Sequence, residues 1–165
     1  YIPTRQLPPS HKKEYFGNCQ DIILKLGKSI PILGICLGMQ GIVHSFGGKI
    51  IHAKEPMHGK ISFLLHDEKG IYEKIPQNIE IMRYHSLVVD IETLPDCFDI
   101  NGISQENDNK NNILEIKQIT PKCEIMAISH KIYPIYGIQY HPESFGSEGG
   151  IEILQNFLFN DNGAK

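Results

Sequence analysis

Apolar and polar residues change their spacing within the segment of residues 30–46. Residues 30–35 form an apolar, partly β-branched run, which predicts a buried strand. Residues 37–46 carry apolar side chains at helical spacing, which predicts a helix that ends at Gly47 and Gly48. Cys36 is the one residue between the two elements. The pattern therefore predicts a sharp strand-to-helix turn at this cysteine.

The rest of the chain continues the mixture of helical and extended patterns. Helices are expected at residues 14–26, ended by Gly27, and at 149–159. Strands are expected at residues 49–53 and 60–66, as a β pair, and at 79–89, 99–105, 113–119, 123–129 and 135–140, with a solvent loop at 106–112. Helices and strands alternate early, and strands follow in series later. This order predicts an α/β fold: a mostly parallel open sheet flanked by helices, with an antiparallel extension.

Length and charge narrow the class of protein. The 165 residues are expected to form one domain, residues 1–165, with enough apolar content for a core. A net charge of -3 gives no argument for nucleic acid, and no apolar run approaches the length of a membrane span. The N-terminus lacks the apolar core of a secretory signal, so we expect a cytoplasmic protein without a membrane or nucleic-acid partner.

The cysteines and histidines give little support for structural cross-links. The four cysteines have no paired spacing, which favours reduced thiols over disulfides. Eight histidines are present, yet there is no Cys-x-x-Cys or His-x-x-x-His pair, so no metal is expected.

Cys36 has the surroundings of a nucleophile. Gly34 and Gly38 flank it in the layout of the hydrolase pattern G-x-S-x-G, with cysteine in the place of serine. The N-terminus of the following helix carries a partial positive charge, which favours the nucleophilic thiolate form. The alternative is a cysteine that fills the core, because free cysteine is among the most buried residue types.

A second group of chemically capable residues follows the last predicted strand. His141 ends the apolar run, and Glu143 lies two residues later, beyond Pro142. In an extended segment residues i and i+2 point to the same side, so the carboxylate can orient the imidazole while the other ring nitrogen faces a thiol. The alternative is a polar strand cap. Together with Cys36, the two residues form a candidate Cys/His/Glu triad.

These two motifs resemble the signatures of a known family. Gly-Ile-Cys-Leu-Gly-Met-Gln at 34–40 and His-Pro-Glu-Ser at 141–144 are similar to those of the class I glutamine amidotransferases. In that family the glutaminase domain hydrolyses the side-chain amide of glutamine and passes ammonia to a synthase. The resemblance extends over about residues 14–159 and implies glutamine as the substrate and no cofactor.

The resemblance assigns roles to individual residues. It implies that Cys36 is the nucleophile, which would carry a glutamyl thioester, that His141 is the general base and acid, and that Glu143 holds the imidazole. The backbone N–H of Leu37 would donate to the oxyanion. The family also implies substrate contacts by Gln40, Ser86 and Leu87. Without the family, Gln40 is equally a solvated helix residue and Ser86 a turn residue.

Two further segments indicate a subgroup. Met-His-Gly-Lys at 57–60 and Arg-Tyr-His-Ser-Leu-Val-Val at 83–89 are similar to segments of the small subunits that serve chorismate-using synthases. The implied protein partner is therefore the synthase subunit of anthranilate synthase, for tryptophan biosynthesis, or of aminodeoxychorismate synthase, for folate biosynthesis. The resemblance does not choose between the two. It places His58, Arg83 and His85 near the active site and the synthase interface, whereas unaided each is equally a satisfied polar group.

The chain departs from the family at its N-terminus. The family carries a glycine- and proline-rich loop that supplies the second oxyanion donor, whereas residues 2–10 here contain no glycine. Arg5, Gln6 and Leu7 replace glycine poorly where the backbone must approach a ligand. The family's first strands have no counterpart before Tyr1, so an N-terminally incomplete domain is expected. This departure favours an alternative function, an interaction subunit with weak catalysis.

Overall fold

The computed structural model describes residues 16–105 and 123–159. In this part of the chain the helices are α1 (Cys19–Leu26), α2 (Leu37–Ser45) and α3 (Gly150–Phe159), with short 3-10 turns at Gly70–Tyr72 and Ile91–Thr93. The strands are β1 (Ile32–Ile35), β2 (Ile50–His66), β3 (Ile79–Val89), β4 (Phe98–Gln105), β5 (Ile125–His130) and β6 (Ile135–Ile138). The expected loop at 106–112, the strand at 113–119, the segment 2–10 and the start of the first helix at 14–15 lie outside the described residues.

The described strands form one six-stranded sheet in the order β1-β6-β5-β4-β2-β3. Only β1 and β6 are parallel, and the other four neighbouring pairs are antiparallel. The α/β class is confirmed, but for the described residues the expectation of a mostly parallel sheet is wrong. Parallel neighbours need a long crossover, whereas β5 and β6 are joined by residues 131–134 alone, which permits only an antiparallel turn.

β2 corrects a second expectation. Residues 49–53 and 60–66 do not pair with one another, because residues 50–66 form one continuous strand along β3. The register of this pair shifts between His52 and Met57 and again between His58 and Lys60. Gly59, at the second shift, has a φ of +69°. An irregular strand interrupts the side-chain alternation, so the sequence pattern shows two short strands where the fold has one.

The core consists of two apolar clusters. One contains side chains of α1 and α2, and the other contains Ile153 of α3 together with Ile71 and Tyr72 of a 3-10 turn. Neighbouring residues of β5 divide between them, Met126 in the α3 cluster and Ile125 in the α1/α2 cluster. A central strand with side chains in both clusters is covered on both faces, which agrees with the four consecutive apolar residues at 125–128.

The parallel pair positions the candidate chemistry. β1 and β6 run side by side with Ile35 opposite Ile138, so the residues that follow them leave the same edge of the sheet. The N–H of Cys36 donates to the carbonyl of Ile138 at 2.7 Å. Tertiary pairing thus brings Cys36 next to the segment that leads to His141, 105 positions later in the chain. Among the described residues, no helix is both long and apolar enough to cross a membrane.

Candidate active site

Cys36 occupies a strained turn between β1 and α2. Its backbone has φ 53° and ψ -104°, a conformation that non-glycine residues rarely adopt. The residue is 6% exposed and lies just before the first residue of α2. The carbonyl of Cys36 accepts the first helical hydrogen bond, from the N–H of Gln40 at 3.2 Å. The sharp turn expected from the sequence is present, and the cysteine itself carries the positive φ.

The two flanking glycines have different reasons to be glycine. A Cβ on Gly34 would lie 2.6 Å from the carbonyl carbon of Gly38, so strand and helix approach too closely for any side chain. A Cβ on Gly38 would meet nothing within 4 Å. Both glycines were expected to be needed at this turn, but only Gly34 is required to lack a side chain for steric reasons.

His141 links Glu143 to the cysteine. Its Nδ1 lies 2.6 Å from Oε1 of Glu143, and the Cys36 side chain lies close enough to the ring to contribute to its pKa. The Cys36 side chain, followed by the hydrogen bond to Glu143, raises the pKa of His141 to about 9, although burial acts in the opposite direction. The imidazole is thus protonated at neutral pH. A protonated imidazole stabilises negative charge on a neighbouring sulfur.

Backbone and neighbouring side chains fix the position of His141. Its N–H donates to the carbonyl of Met82 at 3.0 Å, and its carbonyl accepts from the hydroxyl of Ser147 at 2.7 Å. The ring of Tyr84 stands edge-on to the imidazole, with 5.4 Å between centroids. Sequence reasoning missed these contacts, because a serine or tyrosine that binds across the fold carries no local signal.

The predicted substrate residues occupy different environments. Leu37 is 42% exposed at the first position of α2, where a helical N–H has no acceptor within the helix. Ser86 is half-buried in β3 and is not a turn residue. Gln40 and Leu87 are each 1% exposed, which excludes the alternative of a solvated Gln40. Nε2 of Gln40 donates to the carbonyl of Leu87 at 2.9 Å.

Gln139 is a site residue that sequence reasoning missed. It follows β6 directly, is fully buried, and its Nε2 lies 3.7 Å from Sγ of Cys36. Its Oε1 accepts a hydrogen bond from Nε2 of Gln40 at 3.1 Å. A polar residue inside the apolar run of residues 135–140 was the available signal, since a buried amide needs partners.

Arg83 and His85 lie buried in β3. Nε of Arg83 donates to Nε2 of His85 at 3.1 Å, while other guanidinium nitrogens bond to Ser62 and form an ion pair with Glu124. Nδ1 of His85 lies 3.1 Å from the carbonyl of Leu87. Burial and the adjacent Arg83 lower the pKa of His85 to about 3, so this imidazole is neutral.

Other candidate sites in the described ranges carry less chemistry. No group of three His, Cys, Asp or Glu residues in these ranges is placed to hold a metal ion. Two surface cavities lie away from Cys36, one of about 380 Å³ beside Ile23 and Tyr133 and one of about 390 Å³ beside His44 and Ile50. The Cys36 region is therefore the candidate active site.

Comparison with known proteins agrees with this geometry. Residues 6–160 match the family model described as glutamine amidotransferase class-I. The chain belongs to the class I glutamine amidotransferases. The resemblance that the motifs at 34–40 and 141–144 indicated is thereby confirmed.

Curated relatives of this glutamine amidotransferase are similar over most of the chain. The chain is 45% identical over 152 residues to anthranilate synthase component 2 of Leptospira biflexa. This alignment covers 91% of this chain and 70% of that protein. It is 38% identical to aminodeoxychorismate synthase component 2 of Escherichia coli strain K12, over 86% of this chain and 67% of that one. A multifunctional tryptophan biosynthesis protein of Schizosaccharomyces pombe is 43% identical, over 91% of this chain and 18% of its own length.

Solved structures support the fold of this glutamine amidotransferase. A Thermoplasma acidophilum protein described as a GMP synthase subunit matches with a TM-score of 0.65 and 29% identity, over 84% of this chain. The chain spans 63% of that structure, somewhat under two thirds. A glutamine amidotransferase from Thermotoga maritima, at 20% identity and a TM-score of 0.59, supports the fold alone.

Proposed function

We propose that this chain is the glutaminase subunit of a chorismate-using synthase of the anthranilate synthase type. The observation that carries the proposal is the 2.6 Å hydrogen bond between His141 and Glu143, with the imidazole near Cys36 at its strained turn, where the cysteine raises the pKa of His141. A cysteine nucleophile, an imidazole that carries the proton and an orienting carboxylate are suited to acyl transfer from an amide. The similarity to component 2 proteins supports the choice of partner.

The first half-reaction forms a thioester. The Cys36 thiolate attacks the side-chain amide carbon of glutamine, and the negative charge moves to the amide oxygen. The N–H of Leu37, unpaired within its helix, would donate to this oxyanion. The C–N bond then breaks as His141 gives its proton to the departing nitrogen, which leaves ammonia and a glutamyl thioester on Cys36.

The second half-reaction restores the enzyme. Neutral His141 takes a proton from water, the resulting hydroxide adds to the thioester carbon, and the C–S bond breaks to release the side-chain carboxylic acid. This acid loses its proton to ammonia or solvent and becomes glutamate. The thiolate and the protonated imidazole are then both regenerated. Glu143 keeps the imidazole oriented in both steps through its 2.6 Å hydrogen bond to Nδ1.

Glutamine would bind beside this triad. We assign its contacts to Leu37, Gln40, Ser86 and Leu87, and the hydrogen bond from Gln40 to Leu87 supports their proximity. Since the Gln40 and Leu87 side chains are buried, Leu87 would contact glutamine through its backbone. Ammonia would then pass to the synthase subunit. Aminodeoxychorismate synthase is the second candidate, supported by the 38% identity to the Escherichia coli protein.

A glutamine-like diazo-ketone tests the nucleophile. The full chain should acquire one adduct, and peptide mapping should place it on Cys36 before Cys19, Cys97 or Cys123, because Cys36 alone adjoins His141 among the described contacts. Cys36→Ala is the control and should lose this rapid labelling. An adduct that forms first on another cysteine contradicts the assignment.

Ammonia release tests the partner. Glutamine hydrolysis should rise on addition of chorismate together with a synthase subunit, and the product, anthranilate or aminodeoxychorismate, identifies the pathway. A chain that binds the synthase subunit but neither labels nor releases ammonia would be an interaction subunit, and the proposal of a glutaminase would be wrong.

A further inference from the structure

A continuous chain of buried hydrogen bonds leads from β3 to the sulfur of Cys36. It begins at Arg83 and His85, passes through the Leu87 carbonyl and Gln40, and ends where Gln139 meets the thiol. All five residues are at most 2% exposed. Three separate elements, β3, α2 and the end of β6, therefore meet in one polar network within an apolar environment.

The donors and acceptors of this network can have only one arrangement. The guanidinium of Arg83 is always a donor, so Nε2 of neutral His85 must accept and its proton must reside on Nδ1. That Nδ1–H donates to the carbonyl of Leu87. The same carbonyl can only accept from Gln40, which fixes the amide nitrogen of Gln40 on that side.

The orientation of Gln40 determines that of Gln139. Because Nε2 of Gln40 also faces Gln139, the latter must present its oxygen to Gln40. Its NH₂ group is then directed at Sγ of Cys36. An amide that accepts one hydrogen bond donates the next one more strongly, since the two bonds polarise each other.

We propose that Gln139 stabilises the Cys36 thiolate by donating a hydrogen bond to Sγ, and that Gln40, His85 and Arg83 are positioning residues that hold its amide in this orientation. The proposal rests on the proposed nucleophilic role of Cys36. It adds a neutral donor to the charged His141 that also lies near the cysteine. In this proposal Gln40 also has a role, the orientation of the Gln139 amide, that does not require contact with glutamine.

The pH profile of Cys36 alkylation tests the proposal without any turnover. Iodoacetamide reacts with the thiolate, and peptide mapping separates Cys36 from the other cysteines. Gln139→Met keeps the volume but removes the donor, so the midpoint of the profile should rise by about one pH unit, the order expected for a hydrogen bond to a charged group. The charged and titratable groups on the surrounding elements, His141, Glu143, Arg83, His85 and His58, are unchanged in this variant.

Matched variants separate this effect from a structural one. Gln77 is a comparable amide that bonds the backbone of His66 away from the site, so Gln77→Met should leave the midpoint unchanged. Gln40→Met should raise the midpoint by a smaller amount, because Gln139 stays but its amide can then turn. An unchanged midpoint in folded Gln139→Met would overturn the proposal.

A measurement on the unsubstituted chain covers the case of variants that fail to fold. The side-chain NH₂ resonances of Gln139, followed by NMR against pH, should shift with the ionisation of Cys36 and lose that shift in Cys36→Ala. Resonances that do not respond contradict the proposal. Both readouts are independent of glutamine hydrolysis, so the network can stand if the glutaminase proposal fails, and the reverse also holds.

Discussion

At the residue scale, the site depends on two side chains in unusual states. Cys36 holds a positive φ at a cost of about 1–3 kcal/mol, which the surrounding structure must offset. His141 is half-buried yet keeps its proton, because Cys36 and Glu143 outweigh the effect of burial on its pKa. The raised pKa keeps on His141 the proton that departing ammonia needs.

The pKa of His141 should respond separately to the removal of Cys36 and of Glu143. Cys36 and Glu143 each favour the charged imidazole, so removing either must lower the pKa from about 9 toward the ordinary 6.5. Cys36→Ala should lower it more than Glu143→Gln, because Cys36 makes the larger contribution. NMR titration of the His141 ring protons checks this order. A pKa near 9 in both variants would contradict the ion-pair description of the site.

At the scale of elements, the turn between β1 and α2 depends on close packing. Gly34 lets the end of β1 approach the first turn of α2, and the N–H of Cys36 ties the turn to the end of β6. β2 shows the opposite behaviour, since its two register shifts let one long strand follow β3 despite an irregular pattern. The turn at Cys36 therefore tolerates little change in side-chain size, whereas the pairing of β2 with β3 tolerates register shifts.

Alanine substitutions at the two flanking glycines should differ in their effect on stability. Gly34→Ala places a methyl 2.6 Å from the Gly38 backbone and should reduce the free energy of unfolding by about 1–3 kcal/mol. Gly38→Ala meets open space within a helix and should leave the stability unchanged or raise it by up to about 1 kcal/mol. Urea unfolding of the two variants compares them directly. Equal losses would show that the close approach at Gly34 is not what matters.

At the scale of the whole molecule, the same strands contribute to both apolar clusters and lead to the candidate active site. β5 and β6 contribute to both clusters, and β6 continues into Gln139, Tyr140 and His141. Tyr140 is fully buried in the α3 cluster, directly before the imidazole. Its hydroxyl lies 3.0 Å from that of Tyr72, and burial raises the pKa of both phenols. The core thus anchors the strand end that carries the proposed base.

The tyrosine pair should show non-additive energetics. Tyr140→Phe leaves the buried Tyr72 hydroxyl without its partner and should reduce the free energy of unfolding by about 1–3 kcal/mol. Adding Tyr72→Phe removes the unpaired hydroxyl, so the double variant should recover part of that loss. A double-mutant cycle by thermal or urea unfolding measures the coupling. Strictly additive losses would argue against the hydrogen bond.

The sequence by itself determined the features that depend on neighbours in the chain. The turn at Cys36 follows from an apolar run that meets a helical pattern, and the approach of Glu143 to His141 follows from a spacing of two residues. The bounds of β3, residues 79–89, were predicted correctly, and in the structure every second residue from Ile79 to Val89 is buried. The family could also be identified, since its motifs are short and contiguous.

Tertiary structure decided the features that join distant segments. Whether neighbouring strands are parallel depends on which strands pair, so the expectation of a mostly parallel sheet was wrong for the described residues. The register shifts of β2 interrupt its side-chain alternation, so the expectation of two paired short strands was also wrong. Gln139 meets Gln40 across 99 positions, and Gln40 meets Leu87 across 47. A buried amide in the sequence indicates only that it needs hydrogen-bond partners. The packing of β3, α2 and β6 determines which partners it has.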